Sequence, residues 1–316
     1  MPDVTLKSIR AAAGRIAEHT HRTPVMTSRS LNRAAGLEAF FKCENFQRGG
    51  AFKLRGAANF LLSIPDSEIG KGVVAFSSGN HAQAVAIAAG IRSTTATLVM
   101  PEDAPKSKVE ATLGYGGRIV RYDRMKEDRE AIGRRISEET GATLVPPFDH
   151  PWIIEGQGTA ALELLEQTGP LDALVVCVGG GGLLAGCATA AKALYPSLRV
   201  FGAEPAQAND WALSLEAGQP VEIPPPNTIA DGLRPPKPGR ITFPIVQRLV
   251  ESIVLISEDE IAAAMKFLLM RMKILVEPSG AVSAAAVLFG KLPPEIQTAG
   301  VILSGGNVDW DLLASL

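Results

Sequence analysis

Lys53 is the residue whose sequence setting most clearly predicts covalent chemistry. It lies in the segment Gly49–Gly56, after an aromatic residue and small residues, where an amphipathic helix is predicted to begin at Leu54. Apolar neighbours and the positive end of a helix dipole both disfavour the protonated amine, so the pKa of this lysine should be lowered. A neutral amine is what attack on a carbonyl group requires. The octapeptide alone also fits a surface lysine at the start of an ordinary helix.

Glycine-rich and polar clusters follow four of the apolar runs that are predicted to be strands. The clusters are Ser77-Ser78-Gly79-Asn80, Gly179-Gly180-Gly181-Gly182, Glu204-Pro205 and Ser304-Gly305-Gly306-Asn307. Ligands of open α/β sheets bind at the carboxyl ends of the strands. We therefore expect these clusters to meet in one crevice.

The four consecutive glycines at 179–182 predict an anion site. Their exposed N–H groups, followed by a helix N-terminus, would suit a phosphate. The run Gly180-x-Gly182-x-x-Ala185 also fits a dinucleotide fingerprint, with Glu204 as the ribose ligand. That alternative leaves Lys53 and the Ser77 cluster without a role, so a phosphate site is favoured.

Strand-length apolar runs alternate with helix-length periodic segments along most of the chain. Such alternation predicts an α/β fold of parallel sheets covered by helices, interrupted by a proline-rich loop at 223–239. The predicted strands are 40–44, 73–76, 95–100, 119–122, 143–145, 173–178, 199–203, 253–256 and 301–304. The predicted helices are 7–19, 54–62, 81–90, one through Val109, 126–140, 152–167, 183–194, one after Asp259, and 279–288.

Composition excludes several classes of partner and cofactor. The 316 residues are enough for one large or two moderate domains, and 46% of them are hydrophobic. A net charge of −2 predicts no nucleic-acid or acidic-membrane partner, and no apolar run is long enough to span a bilayer. Three cysteines without metal-ligand spacing, and no evident secretion signal, lead us to expect a cytoplasmic protein.

Five motifs, in order over nearly the whole chain, resemble those of the fold-type II pyridoxal-phosphate enzymes. Within that group the chain is similar to threonine/serine dehydratases and serine racemases. The motifs are Gly50-Ala-Phe-Lys53-Leu-Arg-Gly56, Ser77-Ser-Gly-Asn80-His-Ala-Gln83, Gly179–Gly182, Glu277-Pro-Ser-Gly280 and Ser304-Gly-Gly-Asn307. The resemblance implies two open parallel-sheet α/β domains with the cofactor in the cleft between them. Residues 1–66 and 151–316 would form a discontinuous large cofactor-binding domain, and residues 67–150 a small mobile domain.

The resemblance also implies roles for individual residues. Lys53 would carry pyridoxal 5′-phosphate covalently, with Phe52 against the ring, Asn80 at the ring 3′-oxygen and Ser304 at the pyridine nitrogen. Gly179, Gly180, Gly181, Gly182 and Leu183 would hold the phosphate, and Glu277 would complete the cofactor site. The substrate would contact Ser77, Ser78, Gly79, Asn80, His81 and Arg129.

The residue Ser78 carries a second expectation. It matches the family's acid/base on the opposite face of the cofactor ring, although a serine before a helix is also a common N-cap. Together with Lys53 it defines a catalytic pair.

These roles imply β-elimination from a 3-hydroxy amino acid. A neutral serine at the pyridine nitrogen leaves that nitrogen largely unprotonated, which suits elimination. We expect an ammonia-lyase that converts L-threonine or L-serine to a 2-oxo acid and ammonia. The enzymatic alternatives are serine racemase and 3-hydroxyaspartate dehydratase, in which Arg129 or Arg240 would pair with a second carboxylate. A non-catalytic carrier of the cofactor is disfavoured because Lys53, Ser78 and Asn80 occur together.

A cation site is implied by the segment Glu204–Asp210, which matches the metal loop of the racemases. The carboxylates of Glu204 and Asp210 and the carbonyl of Ala208 would bind Mg²⁺, or Ca²⁺ or Mn²⁺.

Two further expectations concern partners. The racemases' nucleotide pocket is matched in part, but Arg29 and Gly49 depart from it and argue against a nucleotide effector. The resemblance implies a homodimer.

Overall fold

The fold is built on two β-sheets. The structure is a computed structural model, and it describes residues 3–77, 79–104 and 106–315. The strands are β1 (Val25–Met26), β2 (Glu38–Cys43), β3 (Val73–Phe76), β4 (Ala96–Pro101), β5 (Arg118–Tyr122), β6 (Thr143–Leu144), β7 (Ala173–Cys177), β8 (Arg199–Pro205), β9 (Ser252–Ile256) and β10 (Thr298–Leu303). The helices are α1 (Leu6–Ile16), α2 (Arg29–Ala35), α3 (Lys53–Ser63), α4 (Asp66–Ile69), α5 (Asn80–Ile91), α6 (Lys106–Gly114), α7 (Arg129–Thr140), α8 (Pro151–Thr168), α9 (Gly182–Leu194), α10 (Asp210–Ala217), α11 (Thr242–Leu249), α12 (Glu258–Phe267), α13 (Pro278–Leu288) and α14 (Trp310–Ser315).

The strand order confirms the predicted parallel α/β architecture. The larger sheet runs β1-β2-β10-β7-β8-β9 and the smaller sheet runs β5-β4-β3-β6. Every pairing is parallel except that of β1 with β2. Strands of such sheets are buried on both faces, which explains why they appear in the sequence as continuous apolar runs.

Alternation along β3 shows how helices cover both faces of the smaller sheet. Val73 and Ala75 belong to the core formed with α3 and α5. Val74 and Phe76 pack instead with Ile132 of α7. Because successive side chains of a strand point to opposite faces, α5 and α7 lie on opposite sides of this sheet.

Helix α8 fixes the spacing between the helix that begins at Lys53 and the helix that follows the four glycines. A Cβ atom added to Gly156 would lie 2.5 Å from the carbonyl oxygen of Arg55 in α3. A Cβ atom on Gly158 would lie 2.7 Å from the carbonyl oxygen of Gly186 in α9. Backbone therefore packs against backbone at both contacts, and glycine is required for this close approach. The two helices that reach the candidate site are thus held on one central helix.

Several short elements were not predicted from the sequence. Strand β1 has only two residues, and helices α10 and α11 have eight residues each. The charged helix predicted from 126 begins at Arg129, because the side chain of Asp128 accepts a hydrogen bond from the N–H of Glu130 and caps the helix.

The substitution Gly186→Ala tests the packing of α8 on α9. The new Cβ would overlap the carbonyl oxygen of Ile154, so we expect a loss of about 1–3 kcal/mol in the free energy of unfolding. Gly14→Ala in α1 is the matched control, because no atom lies within 4 Å of its Cβ position. That change should be neutral or should stabilise the helix by roughly 0.5–1 kcal/mol. Urea unfolding of both variants measures the difference, and equal midpoints would contradict the packing argument.

Candidate active site

One cavity of about 180 Å³ gathers the predicted site residues at the carboxyl ends of both sheets. Its lining includes Phe52, Lys53, Ser77, Gly79, Asn80, His81, Arg129, Gly179, Gly180, Gly181, Gly182, Leu183, Glu277 and Ser304. Ser78 lies outside the described residues. The predicted convergence of clusters that are far apart in the sequence therefore occurs for the cofactor and substrate sets.

Lys53 is the first residue of α3, and its amine lies within the cavity. Nζ donates a hydrogen bond of 2.8 Å to the carbonyl oxygen of Pro147 and lies 5.2 Å from the centre of the Phe52 ring. Burial lowers the pKa of Lys53 to about 8, although the nearby Cys177 and Glu277 oppose the shift. A substantial fraction of this amine is therefore neutral near physiological pH, as a nucleophile requires.

The glycine loop lies beneath the N-terminus of α9. Gly181 has a φ of 95° and is the N-cap of this helix, and no side chain in the described part of the chain accepts a hydrogen bond from the first N–H groups. A Cβ atom at Gly180 would overlap the ring of Phe148, and one at Gly181 would overlap the ring of Trp211. Uncapped N–H groups at a helix N-terminus bind anions, so the loop fits a phosphate.

Hydrogen bonds fix the side chain of Asn80 from two directions. Its Nδ2 donates to Oε1 of Glu277 at 2.7 Å, and its Oδ1 accepts from Nδ2 of Asn307 at 2.9 Å. Asn307 also donates to the carbonyl oxygen of Gly49 at 2.8 Å. Asn80 is therefore held rigidly at the edge of the cavity.

Glu277 is a buried acid with spare hydrogen-bonding capacity. Burial raises its pKa to about 8, and the negative charge of Asp231 adds to the shift. Among the described residues, Oε2 of Glu277 has no hydrogen-bond partner. A buried polar atom without a partner at a cavity wall fits a site that receives a polar ligand.

Two uncharged side chains lie at the end of β10. Ser304 directly follows this strand, and its carbonyl oxygen accepts a hydrogen bond from the N–H of Phe52 at 3.0 Å. The thiol of Cys177 lies beside Ser304, and burial raises the pKa of Cys177 to about 11. A ring nitrogen placed here would meet uncharged partners.

His81 is a neutral wall of the cavity. Burial lowers its pKa to about 3, with a further contribution from the charge of Lys53. Its Nε2 lies 3.1 Å from the carbonyl oxygen of Val145 and donates to it. The low pKa keeps His81 uncharged at neutral pH, and the hydrogen bond places the ring proton on Nε2.

Besides Lys53, three basic side chains line the cavity. Arg129 lies with its guanidinium carbon 5.7 Å from the ring centre of Phe76. Lys108 pairs with Asp231, and Arg234 donates to the carbonyl oxygen of Thr228. Among the described residues, Arg129 has no carboxylate partner. Its guanidinium is therefore suited to an anionic group.

Arg240 does not line the cavity, so of the two arginines considered as partners of a second carboxylate the structure brings Arg129 to the site. The carboxylate of Asp149 explains its position, because it accepts hydrogen bonds from the N–H groups of Arg240, Ile241 and Thr242 at 2.9, 2.8 and 3.2 Å. These bonds cap the start of α11 and leave the Arg240 side chain exposed to solvent.

The predicted cation ligands lie apart from the cavity lining. Glu204 and Asp210 are both buried, and neither has a Lys or Arg ion-pair partner among the described residues. Burial raises the pKa of Glu204 to about 9 and that of Asp210 to about 7. Oδ2 of Asp210 has no hydrogen-bond partner among the described residues. Buried carboxylates without a counter-charge fit a cation, since burying them alone is costly.

Side chains alone do not mark this place as a metal centre. Within the described ranges, no group of three or more His, Cys, Asp and Glu residues is arranged to hold a metal ion. The predicted ligand set has only two carboxylates and needs the carbonyl of Ala208 as its third member.

Several lining residues were not assigned to the catalytic site from the sequence. Phe148, Cys177, Lys108, Asp231 and Arg234 all contact the cavity. The location of Phe148 and Cys177 next to predicted strand ends is a signal that could have identified them. Asp231 and Arg234 lie in the proline-rich loop, which carries no periodic pattern.

The two sheets, with a buried lysine and a glycine loop at one cavity, are those of a fold-type II pyridoxal-phosphate enzyme. A family model described as pyridoxal-phosphate dependent enzyme matches residues 16–305. The chain belongs to this family. Among the described residues, no helix has the length and apolarity to cross a bilayer.

Individual relatives carry out different reactions on this fold. The chain is 50% identical over 312 residues to the L-threo-3-hydroxyaspartate ammonia-lyase of Saccharomyces cerevisiae, covering 99% of this chain and 96% of that protein. The structure of maize serine racemase has a TM-score of 0.95 and 47% identity, covering 99% of this chain and 96% of that one. The structure of a T.th. threonine deaminase has a TM-score of 0.91 and 46% identity, covering 97% of this chain and 99% of that one.

The pH dependence of Lys53 reactivity tests the low pKa. In protein free of cofactor, acetylation of Lys53 should become half-maximal near pH 8, because burial favours the neutral amine. The same peptide from denatured protein is the control and should titrate near pH 10.4. Quantitative mass spectrometry at a series of pH values measures both. Coincident midpoints would show that the fold leaves this amine unperturbed.

Proposed function

We propose that this protein catalyses β-elimination from a 3-hydroxy amino acid, releasing a 2-oxo acid and ammonia. L-threonine and L-serine are the proposed substrates. The observation that carries the proposal is a lysine with a lowered pKa in the same cavity as an uncapped glycine loop and a neutral serine. The relationship to a threonine deaminase and a hydroxyaspartate ammonia-lyase supports it.

The cofactor would be held by groups that the fold fixes in advance. N–H groups of Gly179–Gly182 and Leu183 would hold the phosphate, and Phe52 would lie against the ring. Asn80 would meet the ring 3′-oxygen, with Glu277 keeping its amide oriented through the bond of 2.7 Å. Ser304 would face the pyridine nitrogen. When bound, pyridoxal phosphate supplies an electron sink that acidifies the α-carbon of an amino acid.

Lys53 would remove the α-proton of an L-substrate. Burial disfavours its ammonium and lowers its pKa to about 8, and the Pro147 carbonyl orients the nitrogen. His81 is too weak a base to compete for this proton, since burial lowers its pKa to about 3. Ser78 is the proposed acid/base of the opposite face, because it matches the family's second acid/base in the motif Ser77-Ser-Gly-Asn80.

A guanidinium at the cavity favours a second candidate substrate, 3-hydroxyaspartate. Arg129, Lys108 and Arg234 all line the cavity, and Asp231 is the acid that pairs with Lys108. A guanidinium without a carboxylate partner binds a substrate carboxylate through charge-assisted hydrogen bonds. The second carboxylate of 3-hydroxyaspartate would pair with Arg129, whereas serine and threonine have only the α-carboxylate.

The proposal includes a movement of one domain. Residues 67–150, which contain β3–β6, would move as a small domain against the remainder and shield the reaction from water.

The proposal also includes a bound cation and a second subunit. The carboxylates of Glu204 and Asp210 and the carbonyl of Ala208 would bind Mg²⁺, with Ca²⁺ or Mn²⁺ as substitutes. The resemblance to dehydratases and racemases supports a homodimer.

A substrate panel tests the proposed activity and separates the candidates. Release of oxo acid should be measured with L-serine, D-serine, L-threonine and the 3-hydroxyaspartate isomers. If none of these releases an oxo acid, the elimination proposal fails.

The substitution Arg129→Met tests recognition of a second carboxylate. A charge-assisted hydrogen bond contributes about 1.5–3 kcal/mol. We therefore expect kcat/KM for 3-hydroxyaspartate to fall about 10- to 100-fold relative to that for L-serine. Arg124→Met is the matched control, because Arg124 pairs with Asp103 and does not line the cavity. Equal losses for both substrates in Arg129→Met would remove the argument for a dicarboxylate.

A further inference from the structure

Trp211 is a fully buried side chain that contacts the underside of the glycine loop. Its Nε1 donates a hydrogen bond to the carbonyl oxygen of Gly179. Its ring occupies the space where a Cβ atom of Gly181 would lie, and it stacks on Phe243 with the ring centres 6.1 Å apart. The indole thus fixes the orientation of the Gly179 carbonyl group and the backbone conformation at Gly181.

The backbone of the same residue contacts the predicted cation site. Trp211 directly follows Asp210, and its N–H donates to Oε2 of Glu204 at 3.3 Å. The N–H of Ala212 donates to Oε1 of Glu204 at 2.9 Å. Both oxygens of Glu204 are therefore held by the first turn of α10, the turn that carries Trp211.

These contacts form one continuous connection between two sites. Glu204 and Asp210 are buried without a Lys or Arg ion-pair partner among the described residues. A divalent cation would neutralise them and hold the first turn of α10 in one position. Because the indole belongs to that turn, its hydrogen bond to Gly179 would be held as well. The N–H groups of the loop would then be ordered before a phosphate binds.

We propose that Trp211 couples cation binding at Glu204 and Asp210 to phosphate binding by the glycine loop. Trp211 acts here as a positioning residue, since it contacts neither the cation nor the reacting atoms. The inference rests on the proposed cation site. Coupling between two binding sites is reciprocal, so the cofactor must raise the affinity for the cation by the same factor.

The rate of cofactor loss from the holoenzyme tests this coupling without measuring activity. After dilution, loss of bound pyridoxal phosphate should be about 5- to 10-fold slower with Mg²⁺ than with EDTA, within the usual range of coupling between sites. In Trp211→Phe the ratio of the rate in EDTA to the rate in Mg²⁺ should fall to about 1–2. An aromatic ring remains in this variant, but the N–H donor to Gly179 is lost. Trp310→Phe is the matched control, since Trp310 is exposed, and it should keep the full ratio.

Direct measurement of Mg²⁺ binding separates failure of the coupling from failure of the cation site. If the parent protein binds no Mg²⁺ in equilibrium dialysis, the cation site is wrong and the coupling is overturned with it. If Mg²⁺ binds, but it slows cofactor loss by the same factor in Trp211→Phe and in the parent, Trp211 does not couple the two sites. The cation site would then stand without the coupling.

Fluorescence provides a test that leaves Trp211 in place. The chain has three tryptophans, so a Trp152→Phe, Trp310→Phe double variant reports on Trp211 alone. Addition of Mg²⁺ should change its emission, because the indole and its hydrogen bond to Gly179 become ordered. Emission that is unchanged at saturating Mg²⁺ would overturn the proposal, even if Trp211→Phe fails to fold.

Discussion

A buried ion network centred on Arg55 is the interaction on which the position of Lys53 depends. Arg55 lies two residues after Lys53 in α3 and donates to both oxygens of Glu44, at 2.7 and 2.8 Å. It also donates to both oxygens of Glu163 in α8, each at 2.8 Å. Lys42 of β2 completes the network by donating to Glu163 at 2.7 Å. Two positive and two negative charges are thus matched in the interior, as buried charges require.

This network explains how Lys53 is held in position although its own amine has no ion-pair partner among the described residues. The planar guanidinium of Arg55 can bind two carboxylates at once, which fixes its direction as well as its charge. Helix α3 is therefore joined at one point to helix α8 and to the end of strand β2. Burial, with no carboxylate hydrogen-bonded to Lys53 among the described residues, lowers the pKa of its amine to about 8. A paired, permanently charged arginine thus holds the helix from which a lysine with a lowered pKa reaches the cavity.

The sequence was informative wherever a local pattern has a direct physical cause. Parallel strands are buried on both faces, so their apolar runs are visible, and ligand groups must follow their carboxyl ends. This is why Lys53, Asn80 and Ser304 could be placed in one crevice. The four glycines could be interpreted because no ordinary turn needs so many.

Interactions between distant segments could not be predicted in the same way. The partners of Arg55 come from β2 and α8, and nothing in its own segment indicates them. The choice between Arg129 and Arg240 could not be made because Asp149, the carboxylate that anchors the backbone of Arg240, lies far away in the sequence. The position of Trp211 beneath the glycine loop likewise follows only from the folded arrangement of α10 and β7. Substrate specificity could not be predicted for the same reason. The basic side chains that line the cavity come from helices and loops that are far apart in the sequence.

The central claim is that Lys53 is the lysine that carries the cofactor. Reduction of the holoenzyme with borohydride fixes the bound cofactor to its lysine, and mass spectrometry of the digested protein then locates the label. The account predicts a phosphopyridoxyl group on Lys53 and on no other lysine, including Lys108, the second lysine that lines the cavity. A label on Lys108 or on any other lysine would contradict it.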